Sequence, residues 1–250
     1  MMRKPVLAAN WKMNHGPSDA RAFMRTFLAR YARHTDRSVI VFPPAVSLGE
    51  MVAATKERPD ILLGIQNIHW EDKGAFTGET SAPMARDAGA RVVLVGHSER
   101  RHVFGEKDDE TRRKCAAAAR AGLRPMLCVG ERLEERRAGE TERVVLRQLH
   151  AGLADLDPAH MAQTLIAYEP VWAIGTGQTA EPRDASAVHV LIRGALNQLA
   201  GDRAVEIPIL YGGSVNTGNA AALLAAPDVD GLLVGGASLD PEGWATIART

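Results

Sequence analysis

Thr164-Leu165-Ile166-Ala167-Tyr168-Glu169-Pro170-Val171-Trp172-Ala173-Ile174-Gly175-Thr176-Gly177 joins a buried strand to a reactive group. Residues 164–168 form a mostly apolar run with no polar alternation, which reads as a strand covered on both faces. The strand delivers a carboxylate, Glu169, at its C-terminal end. Pro170 follows at once and has no backbone N–H to continue a ladder. Beyond it lies a mostly apolar loop broken by Gly175 and Gly177, a composition suited to a hinged lid that keeps water from a carboxylate base.

Similar runs lie at 6–9, 39–42, 61–65, 92–95, 125–129, 207–211 and 231–234, so with 165–168 there are eight. Between them, helical character is expected over 17–32, 46–56, 80–88, 106–121, 132–154, 182–200, 216–225 and 240–248. In the 132–154 segment, Val145, Leu146, Leu149 and Leu153 recur at helical spacing. Strand and helix alternating eight times predict a closed α/β barrel, (β/α)8; a doubly wound open sheet is the alternative the pattern allows. At 250 residues and 46% hydrophobic content the chain can bury such a core. No linker or composition break divides it, so one domain is expected over 1–250. The connection from Gln66 to Glu79 is long and has no helical pattern, which marks it for a function.

Thirty basic residues balance thirty acidic ones, which favours neither nucleic acid nor an anionic membrane as a partner. Cys115 and Cys128 have no metal-type spacing and read as reduced thiols. No apolar run reaches the roughly 20 residues that span a bilayer, and the N-terminal run lacks a signal peptide's apolar core. A soluble, cytoplasmic protein is expected.

In a barrel, residues just past the strand ends meet at one mouth. That rule gathers Asn10, Trp11 and Lys12 after the first strand, and Gly96, His97, Ser98 and Glu99 after the fourth. Glu169 comes after the sixth, Gly212-Gly213-Ser214 after the seventh and Gly235-Gly236 after the eighth. Taken singly, Lys12 reads as a surface lysine, His97 as a core or cap histidine, Glu169 as a loop carboxylate, and the glycines as turns. Together they form a base, an imidazole, an ammonium and two glycine turns. The turns' N–H groups, with following helix N-termini, can bind a phosphate without basic side chains.

These residues carry a resemblance. Asn10-Trp11-Lys12-Met13-Asn14, Gly96-His97-Ser98-Glu99-Arg100-Arg101, the 167–177 segment, Tyr211-Gly212-Gly213-Ser214 and Val234-Gly235-Gly236-Ala237-Ser238-Leu239 are similar to the triosephosphate isomerase family, in the same order. The resemblance runs from near Lys4 to near the C-terminus. It implies a single-domain (β/α)8 TIM barrel that interconverts dihydroxyacetone phosphate and glyceraldehyde 3-phosphate through an enediolate, with no cofactor and no metal. Glu169 is then the base, with a pKa expected to be raised by burial under Val171, Trp172, Ala173 and Ile174. His97, kept neutral at a helix start, handles the oxygen protons, a tuning for which this family is itself the usual illustration. Lys12 and Asn10 stabilise negative charge on the substrate. Glu99 holds Lys12. Gly175, Ser214, Gly235 and Gly236 bind the phosphate, and Pro170 and the 177–180 region are the hinges. The resemblance further implies a homodimer through the 66–79 loop, in which Thr77 supports the neighbouring subunit's site.

Two positions depart from the commonest family pattern. His15 stands where glycine is usual, and Gln178 stands where the second hinge often has lysine; both bear on loop packing and lid rates. Two rivals remain at this level. Another phosphosugar barrel enzyme would keep the glycine cup without Lys12, His97 and Glu169. A non-catalytic phosphate-binding barrel would have lost the base, the lysine or the lid.

Overall fold

Each apolar run becomes a strand of one parallel sheet that closes on itself. The computed structural model describes residues 2–174 and 181–250. Among them the strands are β1 Val6–Asn10, β2 Ser38–Phe42, β3 Ile61–Ile65, β4 Val92–Val95, β5 Arg124–Val129, β6 Leu165–Tyr168, β7 Ile209–Tyr211 and β8 Gly231–Val234. Every neighbour pairs in parallel in chain order, and β1 pairs β8 from Val6↔Gly231 to Ala9↔Val234, closing the barrel.

The strands look uniformly apolar in sequence, yet they divide strictly by period two. Ala8, Ile40, Phe42, Leu94, Met126, Cys128, Ala167, Leu210 and Leu233 fill the barrel. Leu7, Ala9, Val39, Val41, Val93, Val95, Leu127, Val129 and Ile166 pack outward beneath the helices. Gly64 belongs to this arrangement, because a Cβ there would lie 2.2 Å from the Phe42 ring. The helices are α1 Pro17–Arg30, α2 Leu48–Ala54, α3 Ala82–Asp87, α4 Ser98–His102, α5 Asp108–Arg120, α6 Leu133–Arg137, α7 Thr141–Leu153, α8 Pro158–Met161, α9 Pro182–Ala200, α10 Ala220–Leu224 and α11 Pro241–Arg249. In α1, Ala20, Phe23, Met24 and Phe27 form the buried stripe. Phe27 stacks on Tyr31 and on Trp244 of α11, with ring centroids 5.0 and 6.5 Å apart.

Three elements differ from the sequence expectation for a local reason. The 132–154 segment divides into α6 and α7, with Gly139 in the left-handed region at φ 72°. Strand β7 starts only at Ile209, because the Ile207 N–H is bound to Ala204 O and Pro208 has no N–H. The 216–225 segment shortens to α10, because Asn216 and Asn219 side chains cap the turn before it. The short α4 and α8 lie outside the expected helical segments. Cys115 and Cys128 are free and buried.

His189 of α9 is fully buried, with Nδ1 2.9 Å from Asp228 O and no partner on Nε2. Burial pushes its pKa down to about 4. The folded chain therefore holds a neutral ring while the unfolded chain takes up a proton near pH 6.5. At pH 7 this costs nothing; as pH falls from 6.5 to 4, stability drops by about 3 kcal/mol. Urea unfolding of His189→Asn, which keeps a donor for Asp228 O, is expected to lack that part of the decline. Parallel pH profiles for the two proteins would remove the assignment.

Candidate active site

The C-terminal mouth of the barrel encloses a cavity of about 380 Å³ lined by Asn10, Lys12, His97, Glu169, Ile174, Gly212, Ser214, Gly235 and Gly236, among others. Each wall is set by local chemistry at the end of one strand.

After β1 the backbone turns sharply. Lys12 has φ 52°, a left-handed conformation that is uncommon for a side chain this long. It is held there because Asn10 Oδ1 accepts the Lys12 N–H at 3.0 Å, and Gln66 Nε2 donates to Lys12 O at 2.8 Å and to Phe42 O at 2.9 Å. The side chain runs past Gly235, where a Cβ would lie 3.3 Å from Lys12 Cε. Its Nζ lies 2.7 Å from Glu99 Oε1. His15 also takes a positive φ, 63°, the conformation a glycine would adopt freely. Its ring packs edge-on to Trp11 at 4.7 Å and meets Leu239 O at 3.1 Å, contacts a glycine could not make.

After β4, Gly96 turns the chain at φ 71°, and His97 caps α4. The Glu99 N–H points at His97 Nδ1 at 3.3 Å, which makes Nδ1 the acceptor and leaves Nε2 to carry the proton of a neutral ring. Nε2 lies 3.0 Å from Glu169 Oε1 and 3.2 Å from Asn10 Nδ2. Glu169, only 2% exposed, also accepts the Ser98 N–H on Oε2 at 2.8 Å. Two glycines make room for it. A Cβ at Gly212 would lie 2.9 Å from Glu169 Cγ, and one at Gly130 would lie 1.8 Å from Glu169 O.

The titration of this pair corrects the sequence expectation. Burial favours a protonated Glu169, but the His97 charge and hydrogen bond, with the Ser98 N–H, outweigh it and hold the carboxyl below its usual range. Burial likewise opposes charge on His97, and Glu169 overcomes it and raises the imidazole. The expectation counted burial and omitted the partner buried alongside.

The glycine turns line the opposite wall. The N–H groups of Ser214, Gly235 and Gly236 find no acceptor among the described residues. The 3-10 turn Gly236–Ser238 begins at this wall, and Ser238 Oγ donates to Gly235 O at 2.7 Å. No helix starts directly behind Ser214, since α10 begins at Ala220; there the expected helix N-terminus is replaced by turn N–H groups. Gly175, Gln178 and the 177–180 hinge lie outside the described residues. Thr77 is exposed on the 66–79 loop, away from this cavity, with the loop folded on itself through His69 and Phe76 at 4.2 Å. Among the described residues no group of three or more His, Cys, Asp or Glu side chains is placed to hold a metal ion.

Sequence reasoning passed over Glu131. This residue is fully buried behind the lid segment, accepting from Trp172 Nε1 at 2.9 Å and Tyr168 OH at 3.1 Å, with Arg136 Nη1 at 3.5 Å. Arg136 in turn lies over the Trp172 ring, 4.6 Å from its centroid. In sequence Glu131 belongs to a charged stretch, Glu131-Arg132-Leu133-Glu134-Glu135, that reads as solvated surface. Its only signal was its position just past the fifth strand.

The triosephosphate isomerase family model matches residues 5–250. Triosephosphate isomerase of Moorella thermoacetica is 48% identical over 248 residues, covering 99% of each chain. That of a Roseiflexus species is 49% identical over 249 residues, covering 99% of this chain and 98% of the relative. The crystal structure of triosephosphate isomerase from Bartonella henselae superposes with a TM-score of 0.88 at 39% identity, over 98% of both chains. Barrel, mouth and full-length similarity agree, and the chain belongs to the triosephosphate isomerase family.

Proposed function

We propose that this chain interconverts dihydroxyacetone phosphate and D-glyceraldehyde 3-phosphate by moving one proton between adjacent carbons. The observation that carries the reading is the meeting of Glu169, His97, Asn10 and Lys12 in one cavity opposite the N–H groups of Ser214, Gly235 and Gly236. Phosphate binds at those N–H groups, with Gly175 added from the lid, and leaves the carbonyl end of the substrate facing the four side chains.

The Glu169 carboxylate takes a proton from the carbon next to the carbonyl. The C–H electron pair becomes the C=C bond of the enediolate, and the carbonyl oxygen takes the negative charge. Lys12 and Asn10 stabilise that oxygen, and His97 moves the hydroxyl proton between the two oxygens. Glu169 then returns its proton to the neighbouring carbon. To act, Glu169 exchanges the Ser98 N–H and His97 for the substrate. Burial, which its partners now outweigh, then raises its basicity, while His97 loses the nearer of its two anionic neighbours, Glu99 Oε2 remaining 3.7 Å from Nδ1, and shifts toward the neutral form. Glu99 keeps the Lys12 ammonium aimed at the pocket. Closure over Pro170 and the 177–180 hinge excludes water.

The functional unit is a homodimer built through the 66–79 loop. Met13, Val46, Phe76, Met84 and Phe104 are exposed apolar side chains on the connections following β1 to β4, adjacent staves of the barrel. Beside the catalytic pocket, a cavity of about 230 Å³ lined by Lys12, Met13, Asn67, His97, Glu99 and Phe104 is open to receive Thr77 of the partner subunit. No described helix is long and apolar enough to cross a membrane, and the two thiols are free, which suits a reducing cytoplasm.

A coupled assay in EDTA tests the base. Glu169→Asp withdraws the carboxylate by one methylene and is expected to lower kcat by roughly 100-fold with little change in KM. A near-wild-type kcat would end the assignment. Thr77→Arg is expected to shift sedimentation toward monomer, and an unchanged dimer peak would refute docking through this loop.

A further inference from the structure

A second cavity, of about 440 Å³, opens at the other end of the barrel, where the strands begin. Arg3 comes ahead of β1, Arg37 ahead of β2, Arg91 ahead of β4, Arg124 opens β5, and Arg33 follows α1. Five arginines thus line one cavity in a chain of zero net charge. Asp60 is the one carboxylate in the lining, and Arg58 takes both its oxygens at 2.9 and 2.8 Å. Arg37 is likewise bound to both oxygens of Asp36, each at 3.0 Å.

Arg3, Arg33, Arg91 and Arg124 have no carboxylate within salt-bridge distance among the described residues. Arg33 acts on Asp60 only through its longer-range field, and Arg91 bonds the backbone oxygen of Ala90 at 2.8 Å. Arg124 is half buried, and burial pulls its pKa down with no anion opposing it. Four like charges around a concavity repel one another, and bulk composition does not require them there. A guanidinium fork fits phosphate oxygens two at a time. A single phosphate carries too little charge to neutralise four such groups, whereas a chain of phosphates does not. The volume lies within the roughly 300–1,000 Å³ typical of small-molecule sites, and Met2 and Leu62 add apolar surface to the wall.

We propose that this arginine-lined cavity at the N-terminal mouth of the barrel is a second anion site that binds the polyphosphate chain of a small molecule. It is separated from the catalytic mouth by the length of a strand, roughly 17 Å, so both sites fill together. Its arginines come from segments far apart in the chain, so the ligand binds the folded barrel and stabilises it.

Isothermal titration with tripolyphosphate and, separately, with ATP tests this on the intact chain, with the catalytic pocket saturated by glycerol 3-phosphate. One saturable tripolyphosphate per chain is expected. Affinity should fall at least tenfold in Arg91→Ser/Arg124→Ser, with kcat/KM for isomerisation unchanged. Arg3→Ser/Arg33→Ser, at two exposed positions, gives the same comparison should the first variant fold poorly. Equal affinity for ATP and tripolyphosphate identifies the phosphate chain as the whole determinant; tighter ATP binding adds a nucleoside packed on Met2 and Leu62. Heat that never saturates, binding abolished by glycerol 3-phosphate, or affinity indifferent to the substitutions would overturn the proposal.

Discussion

Closure of β1 on β8 is the constraint on which everything else in this chain rests. An open sheet of eight parallel strands would leave two edges and spread its strand ends along a line; closure removes the edges and gathers the ends into a ring. The seam depends on close backbone approach. A Cβ at Gly231 would lie 2.0 Å from Val6 O, so glycine lets the last strand reach the first. Because all strands run the same way, one ring carries Asn10, Lys12, His97, Glu169 and the glycine turns, and the other carries the arginines. The two ends of the barrel become chemically distinct surfaces without any second domain being needed to build them.

At the catalytic end, burial acts twice and in opposite senses. It makes the Glu169 charge expensive and thereby a strong base once alone, and it strengthens whatever partner is buried with it. In the arrangement observed, the partners win. Ser98 and His97 hold the carboxylate in its charged form, in reserve, while Glu131 holds the lid's Trp172 from behind. On the proposed mechanism substrate replaces these contacts, which ties the strength of the base to the presence of the molecule it acts on. A base left permanently naked in an apolar pocket would be protonated at neutral pH and of no use.

The balance of charge is also resolved by geometry. The chain is neutral as a whole, yet the pocket at the C-terminal mouth presents one lysine and a set of backbone N–H groups, and the opposite mouth concentrates arginines that acidic neighbours only partly neutralise. Uncharged N–H donors can hold a phosphate without a counter-charge, whereas an arginine fork grips its oxygens two at a time. Net charge therefore favoured no general affinity for polyanions and carried no information about either end of the barrel.

The order and composition of the chain alone determined the eight strands, the closed barrel, and which side chains and glycines line its C-terminal mouth, because continuous apolar runs and residues just past a strand end have only one place to go in such a fold. Several features were decided only by the tertiary structure. The left-handed backbone of Lys12 and His15 is set by Asn10, Gln66, Trp11 and Leu239, contacts made across the fold or around a turn. The division of 132–154 into two helices and the late start of β7 depend on single glycine and proline positions that a smooth apolar pattern hides. The pairing of Glu169 with His97 joins residues 72 positions apart, so the sign of both pKa shifts could not be read from either neighbourhood. Glu131 and the arginine mouth follow the same logic. A charged residue in a charged stretch looks solvated until folding shows what it faces, since local sequence sets what a side chain can do and the packed structure sets which partner it meets.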